Sequence, residues 1–101
     1  MAIQYSGTIR YPAGVFERFS TEIANVVDKS RKEDGCLVYS LARDVADPDL
    51  FILLEQWEDE EAFEAHFSSS HAEEFRKVMD QMDGVEASIA RYDLGEGNSL
   101  N

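Results

Sequence analysis

The stretch Leu50-Phe51-Ile52-Leu53-Leu54-Glu55-Gln56-Trp57 is a nearly continuous apolar run that ends on a carboxylate and the single tryptophan of the chain. Such a run suits a central strand covered on both faces. Side chains alternate along a strand, so Phe51, Leu53, Glu55 and Trp57 share one face. A carboxylate on that apolar face needs a partner, because burying it unpaired is costly. A histidine, Arg76 or Arg91 could supply one.

Upstream, Asp47-Pro48-Asp49 is turn chemistry, and residues 36–44 before it read as a second strand. Its spacing sets Leu37, Tyr39 and Leu41 on one face and Val38, Ser40 and Ala42 on the other. The short loop between the two strands predicts an antiparallel hairpin. Residues 2–10 also alternate, with Ile3, Tyr5, Gly7 and Ile9 on one side, which predicts a first strand that Pro12 and Gly14 end. From Val15 the apolar positions Phe16, Phe19, Ile23, Val26 and Val27, continued by Ser30, follow the three–four spacing of one helix. Asp34-Gly35 closes it.

Downstream, Asp59 is placed to cap a short helix over 60–67. Ser68-Ser69-Ser70 interrupts the chain there, and a serine can cap a second helix running to about Met82. That helix carries the stripe Phe75, Val78, Met79 and Met82. Gly84 ends it, and 85–94 reads as a last strand bearing Ala87, Ile89 and Tyr92. The tail 95–101 has nothing to bury and is expected to be mobile.

The element order is β-α-β-β-α-β, the split arrangement of an α+β ferredoxin-like fold, in one domain over 1–94. Helices are expected on one face of a four-stranded antiparallel sheet. Apolar residues on the other face predict a covering partner, and a second copy of the sheet is the economical one. The expected assembly is a homodimer with two sheets face to face.

Composition narrows the function classes. The chain has 101 residues, is 44% hydrophobic and includes six phenylalanines, as a packed domain requires. Its formal charge of −12 repels phosphate backbones and anionic lipid, so neither nucleic acid nor a membrane surface is an expected partner. Cys36 stands alone, which leaves no disulfide framework and no thiolate metal site. No apolar leader or long apolar run is present, which fits a soluble cytoplasmic protein.

Trp57, His66 and His71 concentrate the available chemistry in one short segment. His66 follows Phe63 by three and Ala62 by four, so it lies on the inward side of its helix. His71 precedes Phe75 by four and heads the next inward stripe. Either imidazole alone reads first as a core-edge residue satisfied by one hydrogen bond. Two of them facing Glu55 and Trp57 make a site an equal reading, since neutral imidazole can accept a phenolic proton near pH 7. His66 and His71 are therefore the candidate catalytic residues. Tyr39, Glu55, Trp57, Phe63 and Phe75 are the candidate substrate contacts, although Trp57 reads first as a core residue. Cys36 reads as a small buried hydrophobe rather than a nucleophile. No metal is expected: the histidines are five apart without an intervening ligand pair. The acidic runs 58–61 and 73–74 lack the pattern of a calcium loop.

Taken together, Lys32-Glu33-Asp34-Gly35-Cys36 with Tyr39, Leu54-Glu55-Gln56-Trp57-Glu58, Glu64-Ala65-His66 and Ser70-His71 resemble the antibiotic biosynthesis monooxygenase family, most closely its small quinol-monooxygenase-like members. The likeness spans about residues 2–94. It implies a dimeric α+β barrel that oxidises a quinol or polycyclic phenol with dioxygen, using no metal, flavin or haem. It further implies that His66 or His71 handles the proton, that Tyr39 and Trp57 line the pocket, and that Glu55 orients a histidine. Haem-degrading relatives carry an asparagine on the first strand, a tryptophan on the helix and a later histidine ligand. Here the first strand has no asparagine, His66 replaces the tryptophan, and the ligand position falls near Arg76, which argues against haem. Other relatives isomerise a phosphorylated sugar. An isomerase of a small ligand and a non-catalytic dimeric binding module are thus the alternatives to the monooxygenase reading.

Overall fold

A computed structural model describes residues 1–100. The chain forms β1 (Ile3–Arg10), α1 (Val15–Arg18), α2 (Ser20–Arg31), β2 (Cys36–Arg43), β3 (Leu50–Trp57), α3 (Glu60–Phe67), α4 (Ser70–Met79) and β4 (Glu86–Asp93). The four strands make one antiparallel sheet in the order β2-β3-β1-β4. This is the expected α+β ferredoxin-like arrangement, with β3 in the interior. Of the expected tail, 95–100 forms no helix or strand, and Asn101 lies outside the described residues.

Alternation along β3 sorts its side chains as expected. Phe51, Leu53, Glu55 and Trp57 are buried toward the helices, while Ile52 on the opposite face is 43% exposed. Among the described residues nothing covers that second face. The main core sits at the Phe51 end of the strand, where Tyr11, Phe19, Ile23 and Phe51 cluster. Trp57, at the other end, is fully buried.

Three local expectations are corrected. The helix expected from Val15 is two helices, because Phe19 leaves helical geometry at φ −110° and ψ 15°. The break lets Phe16 stack on Phe51 at 4.4 Å while Phe19 enters the same cluster. Leu37 does not share a face with Tyr39. A bulge between Cys36 and Val38 makes it the extra residue of β2, and it is 55% exposed. The last helix stops at Met79 rather than about Met82, where a tighter turn takes over with Met82 N–H bonded to the Met79 carbonyl at 2.9 Å.

Both later helices are capped as the sequence indicates. The Asp59 carboxylate accepts from Ala62 N–H at 2.8 Å, and Ser69 Oγ accepts from Ala72 N–H at 3.3 Å. The short break between them turns the last residues of α3 and the first of α4 toward one another.

Candidate active site

Between the helices and the buried face of the sheet lies a cavity of about 410 Å³. Its walls are mostly apolar, drawn from the helical stripes at Ile23, Val26, Phe75 and Met79 and from Tyr5, Leu41 and Leu53 on the strands. The stripes expected to close a core thus line a space instead. That size and lining suit a small, largely apolar molecule with a few oriented polar contacts. Tyr39, Glu55, His66 and Arg76 offer polar contacts there, beside the hydroxyl-bearing rings of Tyr5 and Tyr11.

His66 occupies the last turn of α3 and is buried against Trp57, with ring centroids 4.6 Å apart. Its Nδ1 lies 3.1 and 3.2 Å from the two carboxylate oxygens of Glu33. A carboxylate only accepts, so this contact favours the tautomer with the proton on Nδ1. Nε2, on the other side of the ring, lies 4.0 Å from Glu55 Oε1. Burial holds His66 below its ordinary pKa, with Glu33 opposing the shift and the His71 and Arg76 charges adding to it. The imidazole is therefore neutral near pH 7, with the Nε2 lone pair available.

Glu55 finds its partner next door, since Trp57 Nε1–H donates to its Oε1 at 3.2 Å. Burial pushes the Glu55 carboxyl up to about 7, against the Trp57 hydrogen bond and with help from the Glu33 charge. The other candidate partners are engaged elsewhere. Arg91 pairs with Glu60 at 3.1 Å and Asp93 at 3.3 Å, and the Arg76 guanidinium sits over the Phe67 ring at 4.3 Å. Tyr39 packs 5.5 Å from the His66 ring, and burial followed by the Glu55 charge raises its phenol pKa. Burial and the charges of Glu33 and Glu55 also raise the Cys36 thiol, which keeps it from being a thiolate nucleophile.

Of the candidate residues, Tyr39, Glu55, Phe63, His66 and Phe75 meet at the cavity wall, while Trp57 and His71 stand outside it. Trp57 backs His66 from within the core. His71 Nε2 contacts Glu33 Oε1 and lies 3.2 Å from Ser69 Oγ. Sequence reasoning assigned no chemistry to Glu33, although Gly35 beside it carried a signal. Gly35 has φ 79°, and a Cβ there would meet the Ala62 Cβ at 2.6 Å. A glycine at that point lets the turn after α2 run against α3, which delivers Glu33 to His66.

An open-faced antiparallel α+β domain whose apolar cavity is edged by a buried imidazole–carboxylate cluster defines a class of small-molecule protein. Comparison with known proteins specifies it further. Residues 6–78 match the model of the family described as antibiotic biosynthesis monooxygenase, and the chain belongs to that family. A Bacillus subtilis (strain 168) protein named "Putative monooxygenase YcnE" is 30% identical over 80 residues, which cover 79% of this chain and 84% of that protein. The crystal structure of PA3566 from Pseudomonas aeruginosa is 32% identical, covers 93% of this chain and 94% of that one, and superposes with a TM-score of 0.73. Rv0793 from Mycobacterium tuberculosis shares the fold at a TM-score of 0.84 and 15% identity, covering 98% of this chain and 100% of its own. No helix among the described residues is long and apolar enough to cross a membrane.

Proposed function

We propose that the protein is a cofactor-independent monooxygenase that oxidises a quinol or polycyclic phenol with dioxygen. The observation that carries this reading is His66, a neutral imidazole at the wall of an apolar cavity, with Glu33 on Nδ1 and Nε2 left free. The substrate lies in the cavity against Phe63, Phe75 and Tyr39, and His66 Nε2 accepts its phenolic proton. The Arg76 guanidinium, the cation on this wall, stabilises the resulting phenolate. The phenolate passes one electron to dioxygen, and the radical pair combines to a peroxide at the ring carbon. The proton held on His66 returns to the peroxide, and loss of water, which also takes the hydrogen of that ring carbon, leaves the quinone, so one oxygen atom enters the product and the other departs in water. The protein supplies proton transfer, orientation and a dry pocket.

His71 supports the site through Glu33, and Trp57 supports it by packing on His66 and holding Glu55. The exposed face of the sheet, with Ile52 and Tyr92 at 43% and 51% exposure, is the surface on which a second copy docks to form a homodimer. Oxygen uptake over a panel of quinols tests the activity. Turnover that falls in His66→Ala supports it, and no uptake above background with the fold intact removes it.

A further inference from the structure

Glu33, His66 and His71 form a group that the proposed reaction uses only in part. One donor atom from each lies within 4.8 Å of the other two. We propose that these three side chains are a binding site for a divalent transition-metal ion of the zinc, cobalt or nickel type. Two imidazole nitrogens and one carboxylate oxygen make a donor set of intermediate softness, which selects such ions over magnesium or calcium. Ligand bonds of about 2.0–2.2 Å place neighbouring donors roughly 3–3.5 Å apart around the ion. The separations of His66 Nδ1 from the Glu33 oxygens, 3.1 and 3.2 Å, fall in that range, while His71 Nε2, in direct contact with Glu33 Oε1, draws back by a side-chain rotation to admit the ion.

The three donors are also held in place before any ion arrives. Glu33 sits in a turn fixed by its own N–H bonded to the Ser30 carbonyl at 3.1 Å and by Cys36 N–H bonded to the Glu33 carbonyl at 3.2 Å. His66 ends α3 and His71 begins α4. The Ser69 hydroxyl between them donates to the His66 carbonyl at 2.6 Å and lies 3.2 Å from His71 Nε2. The side chains of His66, His71 and Glu33 are 8%, 14% and 17% exposed, which separates this group from the acidic surface around it. An ion bound here staples the α2 turn, α3 and α4 together.

The ion takes the Nδ1 lone pair of His66, so the ring proton moves to Nε2. On the reading of His66 as the base, which this consequence rests on, metal occupancy and turnover exclude one another. Metal binding itself is independent of that reading. The test titrates cobalt(II) and zinc(II) into the full chain, following the cobalt absorption spectrum and the heat of zinc binding. One ion per chain is expected, with cobalt bands typical of four or five coordination. Glu33→Gln and His71→Ala are each expected to weaken binding beyond the roughly 10–100-fold that losing an outer-shell partner costs. Glu86→Gln, on the exposed start of β4, leaves it unchanged. Absence of stoichiometric binding overturns the proposal, as does equal binding by wild type and both variants, which would trace it to the acidic surface. If a variant fails to fold, cobalt-induced shifts of the His66 and His71 ring protons in the wild type decide the matter: shifted signals support the site and unshifted ones remove it. Oxygen uptake in chelator-treated protein is scored separately, so a failed metal site and a failed oxidase reading are distinguishable.

Discussion

Glu33 hydrogen-bonds His66 Nδ1 at 3.1 Å although the two residues stand 33 positions apart. This contact fixes the ring orientation and leaves Nε2 on the side of Glu55 and the cavity. Glu33→Gln keeps the size of the side chain but removes the charge that stabilises the imidazolium formed during turnover. The expected result is a fall in kcat of about tenfold or more with little change in KM, a modest share of what general-base catalysis supplies. Steady-state kinetics on a quinol substrate would measure it.

Glu55 and Trp57 provide an internal pH reporter. The folded Glu55 carboxyl titrates near 7 against an ordinary value of 4.5, and Trp57, its hydrogen-bond donor, is the only tryptophan. Between those pH values the unfolded chain has released this proton while the folded chain keeps it. The contribution of Glu55 to stability is therefore complete below about pH 4.5, declines as the pH rises to about 7, and is level above that. Tryptophan emission is expected to shift near pH 7 in the wild type and to lose that transition in Glu55→Gln. A transition that persists unchanged in the variant would assign it to another group.

Gly35→Ala tests how the site is assembled. The positive φ costs a residue with a Cβ about 1–2 kcal/mol, and contact with Ala62 adds to that. We expect a destabilisation of about 2 kcal/mol or more in denaturant unfolding, with lower activity in the protein that remains folded. An unchanged midpoint would show that the turn and α3 do not need this approach.

Most of the scaffold was legible because period-two alternation and three–four spacing are strong local signals. β3 runs over Leu50–Trp57 as its apolar run indicates, and Asp59 caps α3 as its position suggests. What escaped depends on contacts between distant residues. Phe19 leaves the helix to join Tyr11 and Phe51, and Leu37 is displaced by a bulge in its pairing with β3. The site was half legible for the same reason. Helical spacing turns His66 inward, but only the approach of the α2 turn to α3 brings Glu33 beneath it. His71 also contacts Glu33 and does not line the cavity.

The open face of the sheet makes its own prediction. Leu54→Glu places a charge in the middle of that face without touching the cavity. If two copies pack there, the wild type sediments as a dimer at micromolar concentration and the variant as a monomer. A wild type that stays monomeric in the same experiment would remove the face-to-face dimer.

Oxygen consumption with a panel of quinols, compared between wild type and His66→Ala, reads the role of His66 as the base. Uptake coupled to quinone formation is expected in the wild type, with a loss of roughly 10²–10⁴-fold in the variant, the range for a missing general base. Uptake that is equal in the two proteins, or absent in the wild type with every quinol, would contradict it.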